Sequence, residues 1–129
     1  MINKTIGILM PGDMGHGCGK AFIDNNFKVV SCLVGRSDRT RKLSHNAGII
    51  DLKTIENVIK SADIILSILP PESALKQSKI VNDIILKVKK NITYVDCNAT
   101  SPKTAKLIDK SISSEFCNFI DAGIIGLNP

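Results

Sequence analysis

The sequence predicts an α/β fold: a doubly wound, mainly parallel sheet of about six strands with helices on both faces. Three observations predict it. Apolar runs too short for helices alternate with longer amphipathic segments along all 129 residues. The runs are continuously apolar and β-branched, as strands buried on both faces must be. The residues between them are turn and cap residues rather than long linkers, which suits strand–helix units packed in succession. A chain of this length forms one domain, spanning residues 1–129, with room for a single core.

The elements follow in order. Thr5–Met10 reads as the first strand, and a helix follows from about Gly15 to Asn25. A turn rich in glycine, with Gly12, Gly15, Gly17 and Gly19, leads from the strand into the helix. The second strand spans Lys28–Val34, with a helix over Arg39–Ala47 and a short apolar piece, Gly48–Ile50, as a minor third strand. Thr54–Ser61 has helical spacing, with Thr54 as N-cap and Ile55, Val58 and Ile59 on one face. Ala62–Leu69 is a buried strand stopped by Pro70 and Pro71. A long amphipathic helix runs to about Lys89, its expected core face being Leu75, Ile80, Val81, Ile84, Ile85 and Val88. Asn91–Cys97 is a strand, Ser101–Ser114 a helix with Pro102 in its first turn, and Cys117–Ala122 the last strand before Gly123–Pro129. This alternation is the Rossmann-type arrangement.

Composition narrows the function. The net charge of +5 comes from fourteen lysines spread along every predicted helix, with no aromatic interleaving, so nucleic acid is not the expected partner. No apolar run approaches a membrane span, and the start lacks the apolar segment and cleavage site of a signal peptide, so the expected location is the cytoplasm, away from membranes. Cys18, Cys32, Cys97 and Cys117 form no Cys-x-x-Cys pair and read as small reduced core residues rather than metal ligands.

Two segments point to a nucleotide. A strand that turns on glycines into a helix offers unpaired N–H groups and the positive end of a helix dipole to a phosphate. Gly12, Asp13, Met14 and Gly15 occupy that turn, although Met10 stands where the first glycine of Gly-x-Gly-x-x-Gly belongs. A mononucleotide P-loop is excluded, because Met14 and Ala21 occupy its required Gly and Ser/Thr positions. The second segment follows strand two. All three arginines of the chain, Arg36, Arg39 and Arg41, fall there within six residues. NAD sites place an acid at this point and NADP sites an arginine for the 2′-phosphate. Arg36, Ser37 and Arg41, with Arg39 as a further candidate, therefore favour NADP, while Asp38 is expected to cap the next helix.

With these motifs in place, the chain resembles the NADP-binding half of the β-hydroxyacid dehydrogenases, which include 6-phosphogluconate dehydrogenase and 3-hydroxyisobutyrate dehydrogenase. Gly12–Gly15 matches the end of the family's Gly-x-Gly-x-Met-Gly turn, and Arg36-Ser37 its Asn-Arg-Ser/Thr element. Ala62–Pro70 looks like the family's fourth strand. Tyr94–Pro102 resembles Asp-x-Ser-Thr-x-x-Pro, and Ile120–Gly126 resembles Asp-Ala-Pro-Val-Ser-Gly-Gly. Departures occur where the family binds substrate: Asn98 and Ala99 replace Ser-Thr, and Ile125 and Leu127 replace Ser and Gly, as in a less characterised phosphogluconate dehydrogenase-like subgroup.

The resemblance implies that the glycine turn holds a pyrophosphate, and that Leu69, Pro70 and Asn98 lie along the nicotinamide ribose. It implies an oxidoreductase that moves hydride between NADP(H) and a hydroxy- or keto-acid-like carbon. The family's catalytic lysine lies in a second, all-helical domain that also forms the dimer, and no motif here matches it. No catalytic residue is expected among these 129: His16 sits on the phosphate turn and His45 on the second helix, neither at the nicotinamide end. The chain by itself is expected to bind NADP(H) without turnover. Alternatives are a non-enzymatic NADP-responsive domain, a half-enzyme joined by a separately encoded helical subunit or by self-association, and the cofactor half of an imine reductase-like enzyme.

Overall fold

A computed structural model describes residues 4–9, 13–69, 71–98, 101–112 and 115–122. The elements in chain order are β1 (Thr5–Leu9), α1 (Asp13–Asp24), β2 (Lys28–Ser31), α2 (Asp38–Ala47), β3 (Ile50–Asp51) and α3 (Ile55–Ser61). They continue with β4 (Ile64–Ser67), α4 (Pro71–Val88), β5 (Ile92–Asp96), α5 (Pro102–Ile112) and β6 (Cys117–Asp121). Six strands form one sheet in the order β3-β2-β1-β4-β5-β6, every neighbouring pair parallel. The expected architecture is the observed one.

The strands are buried on both faces because each face carries its own apolar cluster. On one face Leu9, Val30, Ile65 and Tyr94 meet Val58 and Ile59 of α3, Ala74, Val81 and Ile85 of α4, and Ile108 and Ile112 of α5. On the other, Ile6, Ile8, Val29 and Leu66 pack with Ala47 and Ile49, and with Phe22 and Ile23 of α1. Successive residues of a strand point to opposite faces, so the run from Ile6 to Leu9 supplies both clusters.

Local chemistry sets the element ends. Thr54 caps α3 as expected, its hydroxyl accepting the Asn57 N–H at 3.0 Å. At α2 the cap is Ser37 rather than Asp38: the Ser37 hydroxyl accepts the Thr40 N–H at 3.2 Å, and Asp38 lies in the first turn, where its charge meets the helix dipole. β2 ends at Ser31, short of the expected Val34, because Leu33–Arg36 folds into a turn. Its Arg36 N–H donates to the Leu33 carbonyl at 3.0 Å, and Gly35 supplies the positive φ of 81° that such a turn requires.

Two further expectations are corrected. Gly15, Gly17 and Gly19 belong to α1, not to a turn, since the helix already begins at Asp13. Gly19 serves close packing there: a Cβ on it would lie 2.7 Å from Ile49 Cδ1. On α4 the buried stripe runs through Ala74, Gln77, Ser78, Val81 and Ile85, and leaves Ile80 38% exposed. Met10, Gly12, Pro70, Ala99 and Gly123–Pro129 lie outside the described residues.

Gly7, in the middle of β1, sits where α3 comes nearest the sheet. A Cβ there would stand 2.7 Å from both Val58 Cγ1 and Ile65 Cδ1, and 3.3 Å from Ala62 Cβ. Gly7→Val is therefore expected to destabilise the domain by roughly 1–3 kcal/mol, the cost of overpacking a filled core. Urea unfolding followed by circular dichroism measures it, and an unchanged midpoint would contradict the close approach.

Candidate functional site

The strand order reverses direction between β1 and β4, since β1 leads outward through β2 to β3 and the chain returns to β4 on the other side. A crevice forms beyond the carboxyl ends of strands at such a point. Every described residue singled out for the site lies along this edge. Asp13, Met14 and Gly15 form the first turn of α1, which opens there with N–H groups that have no acceptor within the helix. Gly12 and Pro70 lie outside the described residues.

Beyond β2, the Leu33–Arg36 turn brings Arg36, Ser37 and Arg41 together. Arg41 Nε donates to the Arg36 carbonyl at 3.3 Å, and the Arg41 N–H donates to the Ser37 carbonyl at 3.0 Å. Among the described residues, neither the Arg36 nor the Arg41 guanidinium is paired with a carboxylate. The Ser37 hydroxyl is committed to the helix start: it accepts from the Thr40 N–H and donates to Thr40 Oγ1 at 3.1 Å. Arg39 is exposed on α2.

This turn is braced from the neighbouring strand. Asp51, at the end of β3, accepts the Leu33 N–H at 3.1 Å and the Lys53 N–H at 2.9 Å. Burial pushes its carboxyl up, but the two N–H groups and the Lys53 ammonium outweigh burial and leave it below its ordinary value.

At the ends of β4 and β5, Leu69 and Asn98 are joined directly. The Leu69 N–H donates to Asn98 Oδ1 at 2.7 Å, and Asn98 Nδ2 donates to Ser67 Oγ at 3.1 Å. Asn98 is buried, and its own N–H donates to Asp96 Oδ1 at 2.8 Å. Its carboxamide thus ties two strand ends together, and among the described residues one further N–H and one lone pair stay unused.

The thiol and the phenol nearby are poor proton carriers at neutral pH. Burial pushes the Cys97 thiol up to about 11, with Asp96 and Cys18 adding to the effect, so it stays protonated. Burial likewise raises the Tyr94 phenol to about 12, against a lowering contribution from the Ser67 hydroxyl, and its ring is stacked on Phe119. Asp96, 1% exposed, is also raised, first by burial and then by the Asp121 carboxylate opposite it, against the Asn98 N–H. No group of three or more His, Cys, Asp or Glu among the described residues is placed to hold a metal, and no described helix is long and apolar enough to cross a membrane.

A cavity of about 170 Å³ opens between the ends of β1 and β2 and the helices α3 and α4. It is lined by Leu9, Cys32, Val34, Arg36, Ile55 and Gln77. Gln77 was not among the residues singled out from sequence, although a glutamine on the apolar stripe of α4 was the available signal. A wider open groove of about 510 Å³ lies at the opposite, amino end of the sheet, near Lys4, Asp63 and Thr93, away from all these residues.

Residues 5–128 match the family described as the NAD binding domain of 6-phosphogluconate dehydrogenase. The chain belongs to that family. An uncharacterized 28.5 kDa protein of Methanothermus fervidus is 35% identical over 121 residues, covering 94% of this chain and 45% of that protein. A conserved protein of unknown function, whose structure is similar to 3-hydroxyacid dehydrogenases, superposes with a TM-score of 0.83 at 25% identity, over 95% of this chain and 44% of that one. The 3-hydroxyisobutyrate dehydrogenase of Mycobacterium tuberculosis gives 0.80 at 16% identity, over 97% and 42%. An Aspergillus terreus imine reductase in complex with NADPH4 gives 0.78 at 15% identity, over 99% and 43%. The chain spans less than half the length of each.

Within this NAD-binding domain the crevice fits the group that the family implies: it offers a helix N-terminus, two guanidinium groups free of carboxylates among the described residues, and an apolar cavity beside them. The raised Asp96 carboxyl makes a separate, pH-dependent contribution. A carboxyl whose value rises on folding binds its proton more tightly in the native state, so its ionisation costs stability as pH climbs above the ordinary carboxylate value of about 4. Asp96→Asn keeps an oxygen for the Asn98 N–H and removes that cost. The variant is expected to unfold at higher urea than wild type at pH 7, the advantage shrinking as pH falls through the carboxylate range. An advantage independent of pH would contradict the assignment.

Proposed function

We propose that this domain binds NADP(H), and that the 2′-phosphate is held by Arg36 and Arg41. The carrying observation is the tied pair of arginines at the end of β2, where an NAD site needs an acid and none is present: Gly35 and Arg36 occupy the position. The planar guanidinium fork suits a phosphate, and the Ser37-capped start of α2 adds backbone N–H groups beside it. The first turn of α1, from Asp13 to Gly15, with Gly12 before it, would face the pyrophosphate. Leu69, Pro70 and Asn98 would lie along the nicotinamide side, Asn98 with the N–H and lone pair it has left.

When bound, NADP(H) supplies a hydride donor or acceptor at its nicotinamide ring. The part of this chain is binding and orientation. The thiol and phenol near the ends of β4 and β5 remain protonated, and Asp96 is buried and engaged, so proton transfer to a substrate falls to a group outside this set. On this reading the domain serves an oxidoreductase acting on a hydroxy- or keto-acid-like substrate in the cytoplasm. It catalyses little by itself and works with a helical domain or by self-association. Residues 1–129 make up the one cofactor domain.

The likeness to an imine reductase supports a second reading, a cofactor half serving reduction of a C=N bond. Both readings share the same NADP site.

Titration of the chain with NADPH and NADH, followed by nicotinamide fluorescence, tests the proposal. NADPH is expected to bind more tightly, and Arg36→Ala to weaken NADPH roughly tenfold or more while leaving NADH nearly unchanged, the scale of a lost charge-assisted hydrogen bond. Equal affinity for the two cofactors, or unchanged preference in Arg36→Ala, would overturn it.

A further inference from the structure

The cavity between β1, β2, α3 and α4 carries two features that packing alone leaves unexplained. Gln77 is 9% exposed, and its Nε2 has no hydrogen-bond partner among the described residues. A buried amide donor left unpaired is a cost that native structures generally avoid. Gln77 lies on the α4 stripe between Ala74 and Val81, where an apolar residue would fill the same space without that cost. On the other side of the cavity Val34 is 62% exposed, a large apolar side chain held in solvent by the Leu33–Arg36 turn.

One occupant accounts for both. The lining is apolar at Leu9, Val34 and Ile55, has a guanidinium at Arg36, and has a carboxamide at Gln77. A flat aromatic ring system with hydrogen-bonding edges suits this set: Val34 offers an apolar surface, Arg36 a cation for the ring face, and Gln77 a paired donor and acceptor for an edge. A carboxamide pairs with adenine in a bidentate way, accepting from the 6-amino group and donating to N7.

We propose that Gln77 reads the base of the dinucleotide and selects adenine, a proposal that rests on the NADP reading above. Arg36 then serves two ends of one nucleotide, its 2′-phosphate and its base, because the residue lines the cavity and its backbone carbonyl holds the Arg41 guanidinium next to it. The selection is made through α4, the helix that follows β4, and not through the arginine turn. The proposal therefore separates from the NADP preference in its dependence on residues.

The test compares NADPH with its deaminated analogue, in which hypoxanthine replaces adenine and an oxo acceptor replaces the 6-amino donor. The wild-type chain is expected to bind NADPH at least fivefold more tightly than the analogue. Gln77→Leu is expected to lose most of that difference and about tenfold in NADPH affinity, while keeping its preference for NADPH over NADH. Thermal melting without ligand gives an independent readout: Gln77→Leu should melt at or above the wild-type temperature, since it removes an unpaired buried donor. Equal wild-type affinity for NADPH and the analogue, a result that needs no variant, would overturn the base-reading role even if the NADPH-over-NADH preference stands. A lower melting temperature for Gln77→Leu with unchanged discrimination would also overturn it, and would make Gln77 a structural residue. Failure of the wild-type chain to bind NADPH at all would overturn the NADP reading and this one together.

Discussion

The parallel pairing of β1 with β4, from Ile6–Ile64 to Leu9–Ser67, sets the geometry on which the rest of the structure depends. Parallel neighbours cannot be joined by a tight turn, so the chain must cross over, and two crossovers in opposite directions leave a gap at the carboxyl edge of the sheet. With β1 buried between β2 and β4, both of its faces require an apolar cover. That requirement is why Ile6 and Ile8 face one set of helices while Leu9 faces the other. It also explains Gly7: α3 and β4 come so near that no side chain fits between them. The crevice is thus a product of strand order, and its chemistry comes from the loops that the order brings together.

Those loops divide the work by their bonding. Between β2 and α2, a local turn and an Arg41–Arg36 contact gather positive charge that no carboxylate among the described residues neutralises. At the other side of the crevice, Asn98 joins the ends of β4 and β5 through Leu69 and Ser67, and nearby acids and thiols are held in their protonated or engaged states. One side has unspent charge, and the other is satisfied internally. A ligand with a phosphate at one end and an uncharged or weakly polar reacting end matches that division.

Much of the architecture was legible in the sequence because its determinants are local. Thr54 caps α3 by a bond to a residue three positions away, and strand–helix alternation is visible in hydrophobic spacing alone. The arginine cluster was legible for the same reason, as Arg36 and Arg41 are sequence neighbours. Features set by distant partners were not. Asn98 was expected along the nicotinamide ribose, yet most of its carboxamide is used by Leu69 and Ser67, some thirty positions away. Ile80 looked like core, but the direction from which the sheet meets α4 leaves it at the rim, while Gln77 turns inward. At the start of α2, Ser37 and Asp38 are both good caps, and only the turn set by Gly35 decides between them.

Asp51 gives the shortest strand of the sheet an influence beyond its two residues. Its carboxylate accepts N–H groups from Leu33, in the β2–α2 connection, and from Lys53, in the β3–α3 connection, while Cys32 Sγ donates to the Lys53 carbonyl at 3.3 Å. The two connections are therefore splinted to each other by one ionised group whose charge persists into acid. Cys32, Val34 and Arg36 on one connection and Ile55 beyond the other line the same cavity. The spacing of its walls is therefore held by a surface acid at the sheet's margin, so that a change at that margin is felt as a change of gauge in the cavity.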